Sequence, residues 1–245
     1  MESAATSILK RAVELDRKQQ YTLAMTLYQE GIQILLNALK EQKNVTSKTD
    51  LSKNPLALKV NEYLEKAERV KKLIETKKAD GTYREVIKIE DGSTGHSYAT
   101  VFGRFLDNNI TYVYVEDPYI RSFHQCQNMV RLCELLVQKC SSLSRISLLT
   151  TCDPEDSFNQ LARLNELKDS LNSQNIDFNI SFSETLHDRQ ITLSNGWIIK
   201  IGRGLSYFKA PQGKFVLGSC DLELRPCLET TVDVFHKNQL RNVTR

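Results

Sequence analysis

The residues best equipped for chemistry lie between Ser183 and Phe208, SETLHDRQITLSNGWIIKIGRGLSYF. His187 stands two positions before Arg189, and a Gly202-Arg203-Gly204 run follows the only Trp in the chain, Trp197. An imidazole can act as a nucleophile or move a proton. The planar donors of a guanidinium suit phosphate oxygens. Asn195-Gly196 between two apolar runs is a hairpin signal. Together these features predict a phosphate site built on a β-hairpin, either a working active site or an anion-binding one.

Local charge points the same way. From Arg189 to Cys220 the chain carries five basic residues, Arg189, Lys200, Arg203, Lys209 and Lys214, and no acidic one. Interleaved with Trp197, Tyr207 and Phe208, they suit an anionic membrane surface, where each well-placed cation contributes about 1 kcal/mol. Strand alternation would send some of these side chains to opposite faces. The net charge of the chain is only +3. Residues 1–80 hold 15 Lys+Arg against 11 Asp+Glu, and residues 81–245 hold 18 against 19. Neither part is a polycation, so nucleic acid is not expected as a partner.

Glu116-Asp117-Pro118-Tyr119 follows a strand-like run, which delivers carboxylates to a sheet's C-terminal edge, where α/β folds hold ligands. The cheaper reading is a capped turn with Asp117 before Pro118. The six cysteines include no C-x-x-C pair and have no His at metal-ligand spacing, so neither metal nor other cofactor is expected. Cys126, Cys133 and Cys140 are seven apart, the spacing of reduced thiols on one buried helix face.

The elements that must position these residues read as an α/β sheet with helices on its faces. Arg84–Glu90, Thr111–Glu116, Arg145–Thr151, Asn175–Ser183 and Gln190–Ile201 are predicted strands, the last broken at Asn195-Gly196. Helices are expected from about Phe123 to Cys140 and from Ser157 to Asn172. The N-terminal part is different. Residues 4–18, 21–42 and 55–78 have helical periodicity, with a Ser/Thr/Asn/Lys-rich loop at 44–54 and Pro55 in the first turn of the third helix. In the second helix Ala24, Tyr28, Gly31, Ile32, Leu35 and Leu39 form one apolar stripe, and Gly31 within it implies a close helix contact. The third has a core stripe of Leu56, Val60, Tyr63, Ala67, Val70 and Ile74. Leu64 lies off that stripe beside Glu68 and Lys71. That flank is either the solvated edge of a broad core face or a shallow apolar groove edged by Glu65 and Glu68, suited to an amphipathic helix with basic residues.

Two segments carry family resemblances. Ala24-Met-Thr-Leu-Tyr28-Gln-Glu-Gly31-Ile32, with Tyr63-Leu64-Glu65-Lys66-Ala67-Glu68-Arg69-Val70-Lys71, resembles the MIT (microtubule-interacting and trafficking) domain. The resemblance implies a three-helix bundle that binds C-terminal tails of ESCRT-III subunits. Leu64 and Ala67 would floor the tail groove, Glu68 would meet a basic residue of the tail, and Lys71 would border it. Residues 82–245 resemble the phospholipase-D-like domain found at the C-terminus of MIT proteins. Its motifs here are Glu116-Asp117-Pro118-Tyr119-Ile120-Arg121, His187-Asp188-Arg189, Gly196–Leu205 and Leu224-Arg225-Pro226-Cys227. The resemblance implies a homodimer through this domain, contact with anionic phospholipid, and recruitment by ESCRT-III to the midbody in cytokinesis.

The expected architecture is therefore two domains: an all-α three-helix bundle over residues 1–80, then an α/β phospholipase-D-like domain over 81–245. Phospholipase-D enzymes use His-x-Lys-x4-Asp twice. Here Arg189 replaces the Lys and Ser194 the Asp, and His96, His124 and His236 stand in unrelated contexts. The degenerate motif His187, Arg189, Ser194 predicts a non-catalytic anion site. The alternatives are a structural His187 buried near a turn, and a dimeric phosphodiesterase using His187 from each chain. With no leader-like start and no run of about 18 apolar residues, the chain is expected in the cytoplasm, at the midbody and peripherally on endosomal and other membranes. The expected function is that of an ESCRT-III-binding, membrane-touching adaptor in abscission.

Overall fold

The computed structural model describes residues 2–45 and 54–237. They divide into two compact units, with the boundary between Glu85 and Val86. No described helix is long and apolar enough to cross a membrane.

The first unit is built on α1 (Glu2–Arg17), α2 (Tyr21–Val45) and α3 (Pro55–Ala79). The expected stripe of α2 is buried throughout, from Ala24 to Leu39. Gly31 is there because α1 passes over it: a β-carbon at this position would come within 2.5 Å of Leu9 Cγ. Asn54 caps α3, its Oδ1 accepting from Leu56 N at 2.8 Å, with Pro55 at the first helical position. The helix closes in a Schellman arrangement, Thr82 N to Lys77 O at 2.9 Å and Gly81 N to Lys78 O at 3.2 Å. The unit does not stop there. Buried Glu85 accepts from Thr22 Oγ1 at 2.6 Å and from Tyr83 Oη at 2.8 Å, tying the segment after the bundle back to α2. Part of the expected loop, 46–53, lies outside the described residues.

The second unit holds a mixed seven-stranded sheet in the order β1-β7-β6-β5-β2-β3-β4. The strands are β1 (Arg84–Ile89), β2 (Tyr112–Glu116), β3 (Arg145–Thr150), β4 (Asp177–Phe182), β5 (Gln190–Leu193), β6 (Trp197–Ile201) and β7 (Thr230–His236). A short helix, α4 (Tyr98–Phe102), precedes β2, while α5 (Phe123–Lys139) and α6 (Ser157–Asn172) are the crossovers that make β2, β3 and β4 parallel. From β2 onward through β5, β6 and β7 the ladder is antiparallel. In β6 only Lys200 is exposed, the near-continuous apolar pattern of a strand covered on both faces. Cys126, Cys133 and Cys140 are buried free thiols, as their spacing implied. Burial raises Cys133 to about 12 and Cys140 to about 11, so neither is a thiolate near neutral pH.

The C-terminal ends of β2 and β3 are tied by one side chain. Gln160 of α6 is fully buried and donates to Ile120 O at 2.8 Å and Thr151 O at 2.9 Å, while its Oε1 accepts from Asp153 N at 2.7 Å. Three bonds satisfy the amide almost completely, so the segments that follow β2 and β3 are held together.

Candidate functional site

The hairpin formed by β5 and β6 has Gln190 opposite Lys200 and Ile191 opposite Ile199. Ile201 N donates to Arg189 O at 2.9 Å, so the ladder runs one pair further and fixes Arg189 beside the end of β6. This end of the hairpin opens into a depression of about 320 Å³ lined by His187, Asp188, Arg189, Lys200, Ile201, Gly202, Thr231 and Asp233. His187 is exposed, not buried near a turn, which removes the structural reading of this residue. Two carboxylates share the depression with Lys200 and Arg189, and Lys200 lies directly opposite Asp233 in the β6–β7 register. Its charges therefore nearly cancel, and the depression is a weak attractor of anions at best.

Arg189 is partly consumed by the fold. Its Nη1 donates to Gly202 O, and its guanidinium lies 4.5 Å from the Tyr119 ring centroid, a cation–π contact. Its Nε is buried without an acceptor, a cost of about 1–3 kcal/mol. Ser194 is not part of this group. It sits past the other end of β5, about 16 Å from Arg189 at the usual strand rise, where its Oγ accepts from Thr111 N at 2.9 Å and Tyr112 N at 3.4 Å. The three residues of the degenerate motif are thus split, His187 and Arg189 at one end of the strand and Ser194 at the other. Of the other histidines, His124 lies against Ser122 Oγ and His236 packs on Trp197, and neither lines the depression. His96 is buried enough to lower its pKa, opposed by Glu223, and also lies elsewhere.

The Gly202-Arg203-Gly204 run serves the protein's own carboxylate. A β-carbon on Gly204, whose φ is 59°, would collide with Asp117 Oδ2. Asp117 is 2% exposed and accepts from Leu205 N and Tyr119 N, each at 3.0 Å. Burial raises its pKa, while the two N–H donors and Arg189 oppose the rise. The expected phosphate cradle is therefore filled from within, and the capped-turn reading of Asp117 holds. Arg203 reaches Glu229 O through Nε at 3.0 Å, and Lys209 pairs with Asp91 at 2.7 Å.

The aromatics expected at a membrane surface are mostly core. Trp197 packs against Phe105 with centroids 5.1 Å apart and the rings tilted by 58°, and Tyr207 is fully buried, its Oη donating to His96 O at 2.9 Å. Phe208 is half-buried against Tyr98 and Tyr207. Sequence alternation could not show this, because both faces of the sheet are covered. The exposed apolar residues of this region lie in the next loop: Phe215 is 101% exposed and Leu217 87%, immediately after exposed Lys214. A Lys-Phe-Val-Leu run between two glycines was the signal available for it.

On α3, Leu64 is 40% exposed, Glu68 and Lys71 are exposed, and Ala67 is buried beneath them. At about 100° per residue these four fall on one flank of the core stripe. A separate depression of about 110 Å³, lined by Thr6, Leu9, Leu35, Leu56, Lys59, Glu62 and Tyr63, lies on the other flank. This flank of α3 faces α1, and further along the helix Arg69 pairs with Asp16 of α1.

Known sequences agree with both units. Residues 2–72 match the family described as the MIT (microtubule interacting and transport) domain. Residues 95–236 match the one described as the phospholipase D-like domain at the C-terminus of MIT. The mouse protein called MIT domain-containing protein 1 is 45% identical over 242 residues, which cover 98% of this chain and 95% of that one. With three helices before a mixed sheet and both matches in the same order, the chain belongs to the family of MIT proteins that end in a phospholipase-D-like domain.

Proposed function

We propose that this protein is a non-catalytic adaptor: its MIT domain binds C-terminal tails of ESCRT-III subunits, and its phospholipase-D-like domain binds anionic phospholipid membrane, including phosphoinositides. The observation that carries the reading is the pairing of the two domains in one chain along nearly its whole length. The site geometry supports the non-catalytic part. The place a phosphate would take at Gly204-Leu205 holds Asp117, and Ser194 lies at the far end of β5 from His187 and Arg189. Arg189 and Lys200 on the wall of the open depression support a weak anion contact. We place the protein in the cytoplasm, at the midbody during abscission and peripherally on endosomal membranes. A homodimer through the second domain would set two tail-binding surfaces on one body, and avidity would raise weak individual affinities on a polymer that repeats its tails.

The test is calorimetry of the full chain with ESCRT-III tail peptides. Leu64→Asp places a charge on the apolar flank and is expected to weaken binding about tenfold or more. Unchanged affinity removes the groove assignment to Leu64, Ala67, Glu68 and Lys71.

A further inference from the structure

The loop after Lys209 is closed by its own polar groups. Ser219 Oγ donates to Gly213 O at 3.0 Å and Ser219 N to Val216 O at 3.1 Å. From below, buried Arg225 donates through Nε to Gly218 O and through Nη2 to Ser219 O. Gly218 sits at φ 81°, and a β-carbon there would press on the backbone of Leu224 and Arg225 at 3.0 Å. The neck is therefore built, and charge-assisted bonds hold it. What it displays is Phe215 at 101% exposure and Leu217 at 87%, neither packed on the chain.

We propose that this loop is a wedge that inserts Phe215 and Leu217 into the interfacial region of an anionic bilayer, with Lys214 at the headgroups. The proposal rests on the membrane reading above and names the residues that enter the lipid. Three observations choose a bilayer over another protein. No acidic residue occurs between Arg189 and Cys220, and the next one, Asp221, is turned to Glu223 N at 2.9 Å. Lys214 is exposed beside the tip, whereas Lys209 is engaged by Asp91. A stable protein interface takes about 800 Å² per partner, more than a few side chains on a loop tip present, whereas an interfacial anchor needs only a few apolar groups and adjacent cations. The closed neck also means that little ordering entropy is lost on insertion.

The experiment uses the full chain with phosphatidylcholine vesicles, with and without added phosphatidylserine and phosphoinositide. Wild type is expected to co-sediment with the anionic vesicles. Phe215→Ser with Leu217→Ser should weaken that binding by about tenfold to a hundredfold, with the near-ultraviolet circular dichroism of the fold unchanged. Phe215→Trp should be quenched by brominated lipid, while Trp197 of the wild type, being buried, should not. Equal binding by wild type and the double variant overturns the wedge and leaves the membrane reading standing. Failure of wild type to sediment overturns both. If the double variant binds lipid normally but shifts the oligomeric state in sedimentation equilibrium, the tip is a contact between copies of the chain and the wedge falls.

Discussion

Two neighbouring stretches of the second unit make opposite use of similar residues. Around the β5–β6 hairpin, the groups suited to an external anion are largely spent inward: Arg189 on Gly202 O and Tyr119, Arg203 on Glu229 O, and the Gly204-Leu205 backbone on Asp117. In the loop from Gly213 to Ser219 the polar groups close the neck, and the apolar side chains face outward. A sheet uses its backbone groups in the ladder, so side chains must complete the turns at its ends. A loop whose neck is stapled by a buried arginine leaves its tip free. The stretch with the more chemical-looking residues is thus the more structural of the two.

The comparison can be broken by removing what each side depends on. Asp117→Asn should have the largest effect on stability, about 2–3 kcal/mol near neutral pH, because an amide offers a donor where one of two N–H groups needs an acceptor. Denaturant unfolding measures it. The pH dependence carries a further signature. Burial raises the folded-state pKa of Asp117 above the ordinary aspartate value, so its contribution to stability is full below that ordinary value and is lost as pH rises through the folded one. In Asp117→Asn that fall between acid and neutral pH should disappear. An unchanged profile would mean that the inward carboxylate does not hold the turn.

Ser194→Ala sharpens the separation between the two ends of β5. It should cost about 1 kcal/mol through the Thr111 and Tyr112 amides and leave lipid binding unaltered. Weaker lipid binding without loss of stability would return Ser194 to the anion site. The smallest effect belongs to Lys209→Ala. Its pair with Asp91 is partly exposed, so the stability change should stay under about 1 kcal/mol. A large loss of vesicle binding in that variant would show that Lys209 leaves Asp91 for lipid.

Much of the architecture was legible because period and punctuation are local. Pro55 and the alternation around Asn195-Gly196 mark an element start and a turn that the structure repeats within a few residues. The short helix α4 and strand β7 were not legible. Strand β7 alternates Val232 and Val234 with polar residues over only seven positions, and α4 has five, too few to show a period. Gln160, which ties the sheet edge, looked like an ordinary helix-surface amide, since its partners come from segments 9 and 40 residues away.

The residues of the candidate site show the same division. The amino-acid sequence alone determined that the chain has a helical bundle followed by an α/β domain, and that a stretch with five basic residues and no acidic one follows His187. Those are properties of composition and spacing. Only the tertiary structure decided which charges remain available. A guanidinium or the N–H groups of a glycine turn donate to an internal oxygen as readily as to an external one, and contacts such as Leu205 N to Asp117, 88 residues apart, determine which is bound. The exposure of Phe215 was decided the same way, by Arg225 closing the loop beneath it.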